Sequence, residues 1–435
     1  MKKTKKLILL ELNEINFDII NKYICAGHNL PGFSHIINNS LIETSSEKEY
    51  DHLEPWIQWP SVHTGKTFSE HKIFRLGDSV YSDIPQIFEQ VEQAGYSVGA
   101  ISPMNTRNAL KNPAYFIPDP WTKTSSDGSF LSKGISKAIS QAVNDNSQSK
   151  FTLQTMFNLT IAFFSLVSIK KYFSLITYAL FSFKKPWRKA LFLDKFLYEV
   201  HKKLFFKKSP EFSTLFLNAG AHIQHHYFFN SPFIEKKELK NPDWYIQQTA
   251  DPFLEMIIEY DKIINDLLSY KNCSIIISTG LSQIPFDKTQ FYFRLKNHED
   301  FLKLLDVSFL EVHPRMTRDF LIEFNSEESA IFAQEKLNLI LVDNKYKLFG
   351  YIENRGKQLF VVLDYPYEIY SDTAFFADNK KINLSEHVVF VAIKNGMHCQ
   401  KGYTFFSEDI RNIMIDPGSH VSNINISIKK YFEIA

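Results

Sequence analysis

The chain has 435 residues, of which 44% are hydrophobic and 22% charged, so it can build a large core and is not an intrinsically disordered protein. Its 49 basic and 48 acidic residues leave a formal net charge of +1, which excludes a generally basic nucleic-acid-binding protein. The three cysteines, Cys25, Cys273 and Cys399, are too few for a disulfide framework and are typical of a reducing compartment.

The N-terminal stretch is basic and then apolar, as in the first part of a signal peptide. Glu11 ends the apolar run that starts at Leu7, whereas a signal peptide needs an apolar run of about 7–15 residues. We therefore predict a buried first strand over residues 7–12 and a protein that stays in the cytoplasm.

Strand patterns then alternate with helical patterns. Strands are predicted over 7–12, 97–101, 214–218, 273–278 and 388–393, and helices over 17–26, 84–94 and 252–270. This alternation is typical of an α/β fold with a largely parallel central sheet flanked by helices. The strand over 388–393 is expected to return to the core. A small β-α-β insertion is predicted, with a strand over 320–324, a helix over 326–337 and a strand over 339–348.

A basic, aromatic segment lies between residues 150 and 208. It has twelve Lys or Arg and only two acidic residues, so it carries +10 and the rest of the chain carries −9. Residues 151–169 are uncharged, but polar residues such as Gln154 and Asn158 argue against a membrane-spanning helix, which needs ~20 predominantly apolar residues. Two interpretations stay open: an insertion packed on the main domain, or an interfacial region that binds anionic membrane surfaces.

These patterns predict three parts. The core comprises residues 1–130, 211–300 and 366–435, the basic helical insertion covers 131–210, and the small α+β insertion covers 301–365.

Polar clusters follow the predicted strands, where open α/β sheets bind ligands. They cover residues 11–18, 54–65, 218–226, 278–280 and 396–402. Taken in order, they resemble the alkaline phosphatase superfamily, especially its type I phosphodiesterase/nucleotide pyrophosphatase branch.

Three motifs carry the resemblance. Thr64-Gly65 followed by His71-Lys-Ile resembles the branch's Thr-Gly-x5-His-x-Ile pattern, and Asn218-x-x-x-His222 lies where the branch has Asp-x-x-x-His. The stretch around His398 resembles its terminal His motif. The resemblance spans nearly the whole chain and is strongest to degenerate cytosolic members associated with bacterial surface-polysaccharide genes.

The resemblance implies a two-metal site for phosphoryl chemistry, and the sequence departs from it in several places. Asn13 and Asn218 stand where the family has metal-binding aspartates, and Thr279-Gly280 replaces its Asp-His pair. The position of the nucleophile falls on Pro55.

What persists of the first metal site is His222, His398 and the neutral Asn218. The resemblance therefore implies one divalent ion, zinc or manganese, bound by these residues with an added carboxylate.

Glu54 is the candidate carboxylate, either as a metal ligand or as a general base acting on water. Trp56 could stack against a sugar. Asn13 is a candidate substrate-binding residue with Asn218, although we favour a role for Asn13 as the cap of the first helix over metal ligation. Glu14 and Glu11 flank this position.

Two functions follow. The first is a metal-assisted phosphoester hydrolase or phosphoryl-group transferase that acts on a phosphorylated glycan or lipid-linked sugar. The second is a catalytically inactive member that serves as a binding or scaffolding protein in surface-polysaccharide assembly. The expected partners are a phosphorylated small molecule or glycan and, through residues 150–208, an anionic membrane surface, but no nucleic acid. The expected location is the cytoplasm, peripheral to the inner face of the membrane.

Overall fold

The computed structural model describes residues 6–144, 153–235, 238–315, 318–377 and 380–434. The strands are β1 (Lys6–Leu12), β2 (Leu41–Ser45), β3 (Val98–Ile101), β4 (Tyr115–Ile117), β5 (Phe212–Leu217), β6 (Cys273–Ser278), β7 (Ser282–Leu295), β8 (Glu311–Pro314), β9 (Asp319–Glu323), β10 (Leu341–Val342), β11 (Tyr346–Lys347), β12 (Glu353–Asn354), β13 (Gln358–Val362), β14 (Ala374–Ala377), β15 (Lys380–Asn383), β16 (Val388–Cys399) and β17 (Lys401–Phe406). The α-helices are α1 (Phe17–Cys25), α2 (Pro31–Ile37), α3 (Pro55–Thr64), α4 (Phe68–His71), α5 (Ile87–Gln93), α6 (Phe130–Asn144), α7 (Leu153–Leu166), α8 (Ile169–Phe181), α9 (Arg188–Lys208), α10 (Ala219–Tyr227), α11 (Pro252–Leu268), α12 (His298–Leu304), α13 (Glu327–Asn338) and α14 (Asn423–Tyr431).

The chain forms two compact units. The first comprises Met1–Glu235, Thr249–Pro285 and Gly396–Ala435, and the second comprises Lys236–Gln248 and Phe286–Asn395. The three-part division that the sequence suggests stays a prediction.

A seven-stranded sheet forms the centre of the first unit, in the order β2-β17-β6-β1-β5-β3-β4. The five strands from β6 to β4 are parallel to their neighbours, whereas β17 is antiparallel to both β6 and β2. This confirms the predicted α/β class with a largely parallel sheet.

The apolar residues of β1 explain its place at the middle of the sheet. Every residue from Leu7 to Leu10 is fully buried, as expected for a parallel strand that is covered on both faces. On one face, Leu7 and Leu9 pack in a cluster with Trp59 of α3 and Phe88 of α5. In the same unit, helix α11 packs on α2 and α10, and α1 packs on α2.

The predicted basic insertion is helical in its described part. Helix α7 packs on α6 and α9, and α8 packs on α9. Residues 145–152, which include the start of the predicted basic segment, lie outside the described residues. In the part of the chain that is described, no helix is both long enough and apolar enough to span a bilayer.

The second unit contains two four-stranded antiparallel sheets, with the orders β11-β10-β14-β15 and β12-β13-β9-β8. The prediction of a single strand over 339–348 is wrong, because a turn separates β10 from β11 in this segment. Asp343 and Asn344 adopt left-handed conformations, with φ of 50° and 56°, which are typical of a tight hairpin turn.

The prediction that 388–393 returns to the core sheet is also wrong. These residues begin β16, which pairs with β7 in a separate two-stranded sheet. An apolar run predicts a strand but cannot identify its partner, and the strand that joins the central sheet is β17.

Candidate functional site

Three adjacent parallel strands bring the candidate residues to one edge of the central sheet. Strands β6, β1 and β5 end at Ser278, Leu12 and Leu217, and Thr279, Asn13 and Asn218 follow them directly. Because β17 is antiparallel to β6, its first residues lie at the same edge. The end of β16, which precedes β17, therefore reaches this edge as well.

Glu14, His225 and His398 converge at this edge. Glu14 Oε2 lies 3.1 Å from His225 Nε2 and 3.2 Å from His398 Nε2. The two imidazole Nε2 atoms are 3.3 Å apart. The three atoms thus form a nearly equilateral triangle.

This triangle has the dimensions of a tetrahedral metal site. An ion with bonds of about 2.05 Å separates its ligand atoms by about 3.3 Å. The observed separations of 3.1, 3.2 and 3.3 Å fit this value. In the described residues, only one other group of three ligands exists, Glu311, His313 and Glu323, and its Glu311 is exposed.

The Glu14 carboxylate is buried and held in place by amides. Its Oε1 accepts a hydrogen bond from Asn13 Nδ2 at 2.9 Å, and its Oε2 accepts one from Gln283 Nε2. Burial alone would raise the pKa of Glu14, but the charges and hydrogen bonds of His398 and His225 bring that pKa well below its usual range. Glu14 is therefore an anion that compensates positive charge at this position.

Glu14 also has an unusual backbone conformation, with φ of 63°. Left-handed conformations cost a non-glycine residue about 1 kcal/mol or more and are frequent at functional sites. The peptide is fixed by hydrogen bonds from Glu14 N to Thr279 O at 3.1 Å and from Gln283 N to Glu14 O at 3.1 Å. This conformation ends the strand alternation and directs the carboxylate toward the histidines.

A buried carboxylate of α9 fixes the start of α10, the helix that carries His225. Asp194 accepts hydrogen bonds from Asn218 N at 3.2 Å, Ala219 N at 2.7 Å and Tyr260 Oη at 2.5 Å. Burial raises the pKa of Asp194 to about 6, although these hydrogen bonds oppose the shift. The N-terminus of α10 is thereby capped from another helix.

Glu54 lies on the other side of the His398 ring. Its Oε2 is 3.6 Å from His398 Nδ1, and its side chain is 31% exposed. An ion bound at Nε2 would be out of its reach, because the two ring nitrogens point to opposite sides. Histidines that bind metals commonly have a carboxylate at the second nitrogen, which fixes the ring.

The residues at which the resemblance implies a second metal ion are neutral. Asn13 Nδ2 donates to Asn218 Oδ1 at 2.8 Å, and Asn13 Oδ1 accepts from Trp59 Nε1 at 2.7 Å. Thr279 Oγ1 accepts from Tyr403 N at 2.9 Å. These residues do not fit a second divalent cation, which needs anionic or imidazole ligands.

The prediction that Asn13 caps the first helix is wrong. The cap of α1 is Asn16, whose side chain accepts a hydrogen bond from Ile19 N. The amide of Asn13 is instead used by Trp59, Glu14 and Asn218.

His222 and Trp56, two other predicted site residues, have different surroundings. His222 lies on α10 beside His226, with ring centroids 4.9 Å apart, and it is not one of the three converging ligands. Burial, and then the charge of His225, lowers the pKa of His222 to about 4. Trp56 donates its indole N–H to Phe74 O at 3.2 Å. A ligand role for His222 and a sugar-stacking role for Trp56 stay predictions.

Sequence reasoning missed Glu14 and His225 as central residues. Both stood next to predicted residues: Glu14 follows Asn13, and His225 comes three residues after His222, within one turn of the same helix. A scan of every carboxylate and imidazole near the strand ends would have found them.

Comparisons with known proteins give a likeness only at the level of structure. No protein-family model and no curated protein sequence matches the chain. Murine ectonucleotide pyrophosphatase/phosphodiesterase 5 is similar, with 11% identity, 99% of this chain and 96% of that chain covered, and a TM-score of 0.46.

Two bacterial structures are also similar. Phosphonoacetate hydrolase from Sinorhizobium meliloti 1021, in complex with phosphonoacetate, has 12% identity, covers 98% of this chain and 95% of its own, and gives a TM-score of 0.42. Alkaline phosphatase from the Antarctic bacterium TAB5 has 10% identity, covers 99% and 98%, and gives a TM-score of 0.42. All three belong to the superfamily that the sequence resembles. Because these TM-scores are below 0.5, the functional proposals rest on the chain's own residues.

Proposed function

We propose that this protein is a metal-assisted phosphoester hydrolase or phosphoryl-group transferase with a single divalent ion, zinc or manganese. The observation that carries the proposal is the triangle of Glu14, His225 and His398, with sides of 3.1–3.3 Å. The ion would have two imidazole ligands and one carboxylate, with a fourth position left for water or substrate. We propose this ligand set in place of the predicted one, which combined His222, His398, Glu54 and Asn218.

An ion in this position would polarise a phosphoryl oxygen and lower the pKa of a bound water. Glu14 would offset its charge. Glu54 would hold His398 in the tautomer that keeps Nε2 as a ligand, which makes Glu54 a positioning residue. Asn218 Nδ2, which makes no hydrogen bond within the described chain, would donate to a phosphoryl oxygen.

Direct attack by water is proposed, because the two hydroxyl-bearing candidates of α3, Ser61 and Thr64, are engaged in other contacts. Pro55 offers no hydroxyl. Thr64 Oγ1 donates to Pro60 O at 2.7 Å, and Ser61 Oγ contacts His71 Nε2 at 3.0 Å; both side chains are buried. Hydrolysis by direct attack of water proceeds without a covalent intermediate on the protein.

For the substrate, we propose a phosphorylated glycan or a lipid-linked sugar, handled in the cytoplasm at the inner face of the membrane. The support is the resemblance seen in the sequence together with the basic helices α8 and α9, which belong to the same unit as the site. Trp56, on the first turn of α3 beside Glu54, is the aromatic candidate for a sugar contact.

A second candidate is a non-catalytic binding protein in surface-polysaccharide assembly. The neutral network of Asn13, Asn218 and Trp59 supports it, because Asn13 and Asn218 stand where the resemblance implies metal-binding aspartates. Such a protein would keep one ion and bind phosphorylated ligands without turnover.

Metal analysis combined with turnover tests the proposal. Purified protein dialysed against zinc or manganese is expected to retain about one ion per chain and to hydrolyse an aryl phosphodiester. His398→Ala should lose both properties, whereas Glu311→Gln, which changes the exposed residue of the second group, should keep both. A protein that binds the ion and shows no turnover would support the binding candidate. A protein that retains no ion would refute both.

A further inference from the structure

Helix α8 presents an apolar stripe to solvent. Ile169, Phe173, Ile176, Leu180 and Phe183 are 78%, 81%, 44%, 67% and 93% exposed. Their spacing of four, three, four and three residues places them along one side of the helix and its immediate continuation. Single exposed apolar residues are ordinary, but a contiguous row of five large ones indicates a binding surface.

This stripe is not the side by which α8 packs on the protein. Leu175 is only 1% exposed, and the Tyr172 ring lies 5.2 Å from the Phe163 ring of α7. Lys195 of α9 lies 4.0 Å above the Tyr178 ring. The helix therefore has a satisfied inner side and an apolar outer side.

The segment that carries the stripe is basic. Between residues 153 and 193 there is no Asp or Glu, and the segment contains five lysines and one arginine. The lysines are all exposed: Lys170, Lys171, Lys184, Lys185 and Lys189. Lysines can extend to phosphate headgroups while the apolar side chains enter the boundary with the acyl chains.

Charge decides between the occupants that such a stripe could accept. A second copy of the chain would bring two strongly basic faces together, and like charges repel. An anionic lipid surface complements the lysines and accepts the apolar row at the same time.

We propose that the outer side of α8, residues 169–183, docks on a membrane surface that contains anionic phospholipid. The inference rests on the proposed function for its link to a lipid-linked substrate. The contact itself needs neither metal nor substrate. It would hold the first unit at the bilayer.

Vesicle flotation tests this with phosphatidylcholine vesicles, either pure or with about one-third phosphatidylglycerol. The full chain is expected to float with the anionic vesicles only and to be released by about 1 M salt, which shortens the Debye length to about 3 Å. Phe173→Ser/Leu180→Ser should abolish flotation. The matched control is Phe332→Ser/Leu339→Ser on the second unit, where the residues are 60% and 78% exposed, and it should float like the wild type.

The charge is tested separately. Lys184→Gln/Lys185→Gln should lower the partition coefficient about 30-fold, from roughly fivefold per lysine, and Lys380→Gln/Lys381→Gln should leave it unchanged. The proposal would be overturned if Phe173→Ser/Leu180→Ser floated as well as Phe332→Ser/Leu339→Ser. It would also be overturned if the wild type bound equally to neutral and anionic vesicles. A wild-type dimer that the Phe173→Ser/Leu180→Ser change dissociates would overturn it too.

The metal content of every variant is measured in parallel. A variant that retains its metal but no longer floats shows that the docking surface acts independently of the metal site. Wild-type flotation without metal would contradict the proposed chemistry and leave the docking surface standing.

Discussion

Replacing Glu14 by glutamine removes the only carboxylate of the ligand triangle while keeping the size of the side chain. In the wild type, zinc at about 100 times its dissociation constant should stabilise the fold by about 2.7 kcal/mol. The first unit has about 300 residues, and unfolding entropy is about 2.1 cal/mol/K per residue, so this energy raises Tm by about 4 °C.

Glu14→Gln should reduce this metal-induced rise to less than 1 °C. Loss of a residue that hydrogen-bonds to a metal ligand already lowers metal affinity about 10–100-fold. Loss of a direct ligand should therefore lower it about 100-fold or more. The same zinc concentration would then be close to the new dissociation constant, and the stabilisation would fall to about 0.4 kcal/mol.

The assay is thermal unfolding followed by circular dichroism, with each protein compared to its own metal-free state. That comparison matters because the new amide faces the amides of Asn13 and Gln283, which changes the baseline stability. Glu311→Gln is the matched control and should show the wild-type rise. An undiminished rise in Glu14→Gln would refute the assignment of Glu14 as a ligand.

Three further predictions concern buried groups of the first unit. Asp194→Ala should lower the free energy of unfolding by about 2–4 kcal/mol in urea titrations and weaken zinc binding, because Asn218 N, Ala219 N and Tyr260 Oη lose their shared acceptor; unchanged zinc affinity would show that α10 is positioned without it. Burial lowers the pKa of His201 to about 3 and that of His71 to about 4, so the unfolded chain takes up protons below about pH 6.5 and the folded chain does not. Stability should therefore fall from pH 7.5 to pH 5 by about 2 kcal/mol per histidine, and His201→Gln should remove its share of that loss; a pH-independent urea midpoint would contradict this. Gly396→Ala should cost about 1–3 kcal/mol and weaken zinc binding, because the added Cβ would lie 2.0 Å from Gln283 Oε1 and 2.8 Å from Gln224 O, and the displaced Gln283 supports Glu14; zinc binding equal to the wild type would count against that support.

The central strands could be predicted from sequence because they are buried on both sides. The prediction over 273–278 coincides with β6, and that over 7–12 differs from β1 by one residue. The turn inside 339–348 was missed, because the apolar residues 339–342 were extended to Tyr346 and Leu348 across Asp343 and Asn344, two residue types that are typical of turns.

The sequence analysis predicted a site that contains His398 and Glu54, and it did not single out Glu14 or His225 as ligands. His398 and Glu54 lie close together, as the order of the motifs suggested. The positive φ of Glu14 could not be read from the sequence, and strand alternation would have placed Glu14 and Asn13 on opposite sides. Likewise, the rotation of α10, which brings His225 to the triangle, is set by packing and by Asp194.

X-ray absorption at the zinc edge, on the zinc-loaded protein and on Glu14→Gln and His222→Ala, tests the central claim most directly. We expect two imidazole nitrogens and one carboxylate oxygen at about 2.0–2.1 Å in the wild type. The carboxylate should be lost in Glu14→Gln, and His222→Ala should leave the spectrum unchanged. The account would be contradicted if His222→Ala removed an imidazole from the zinc coordination shell and Glu14→Gln left that shell unchanged.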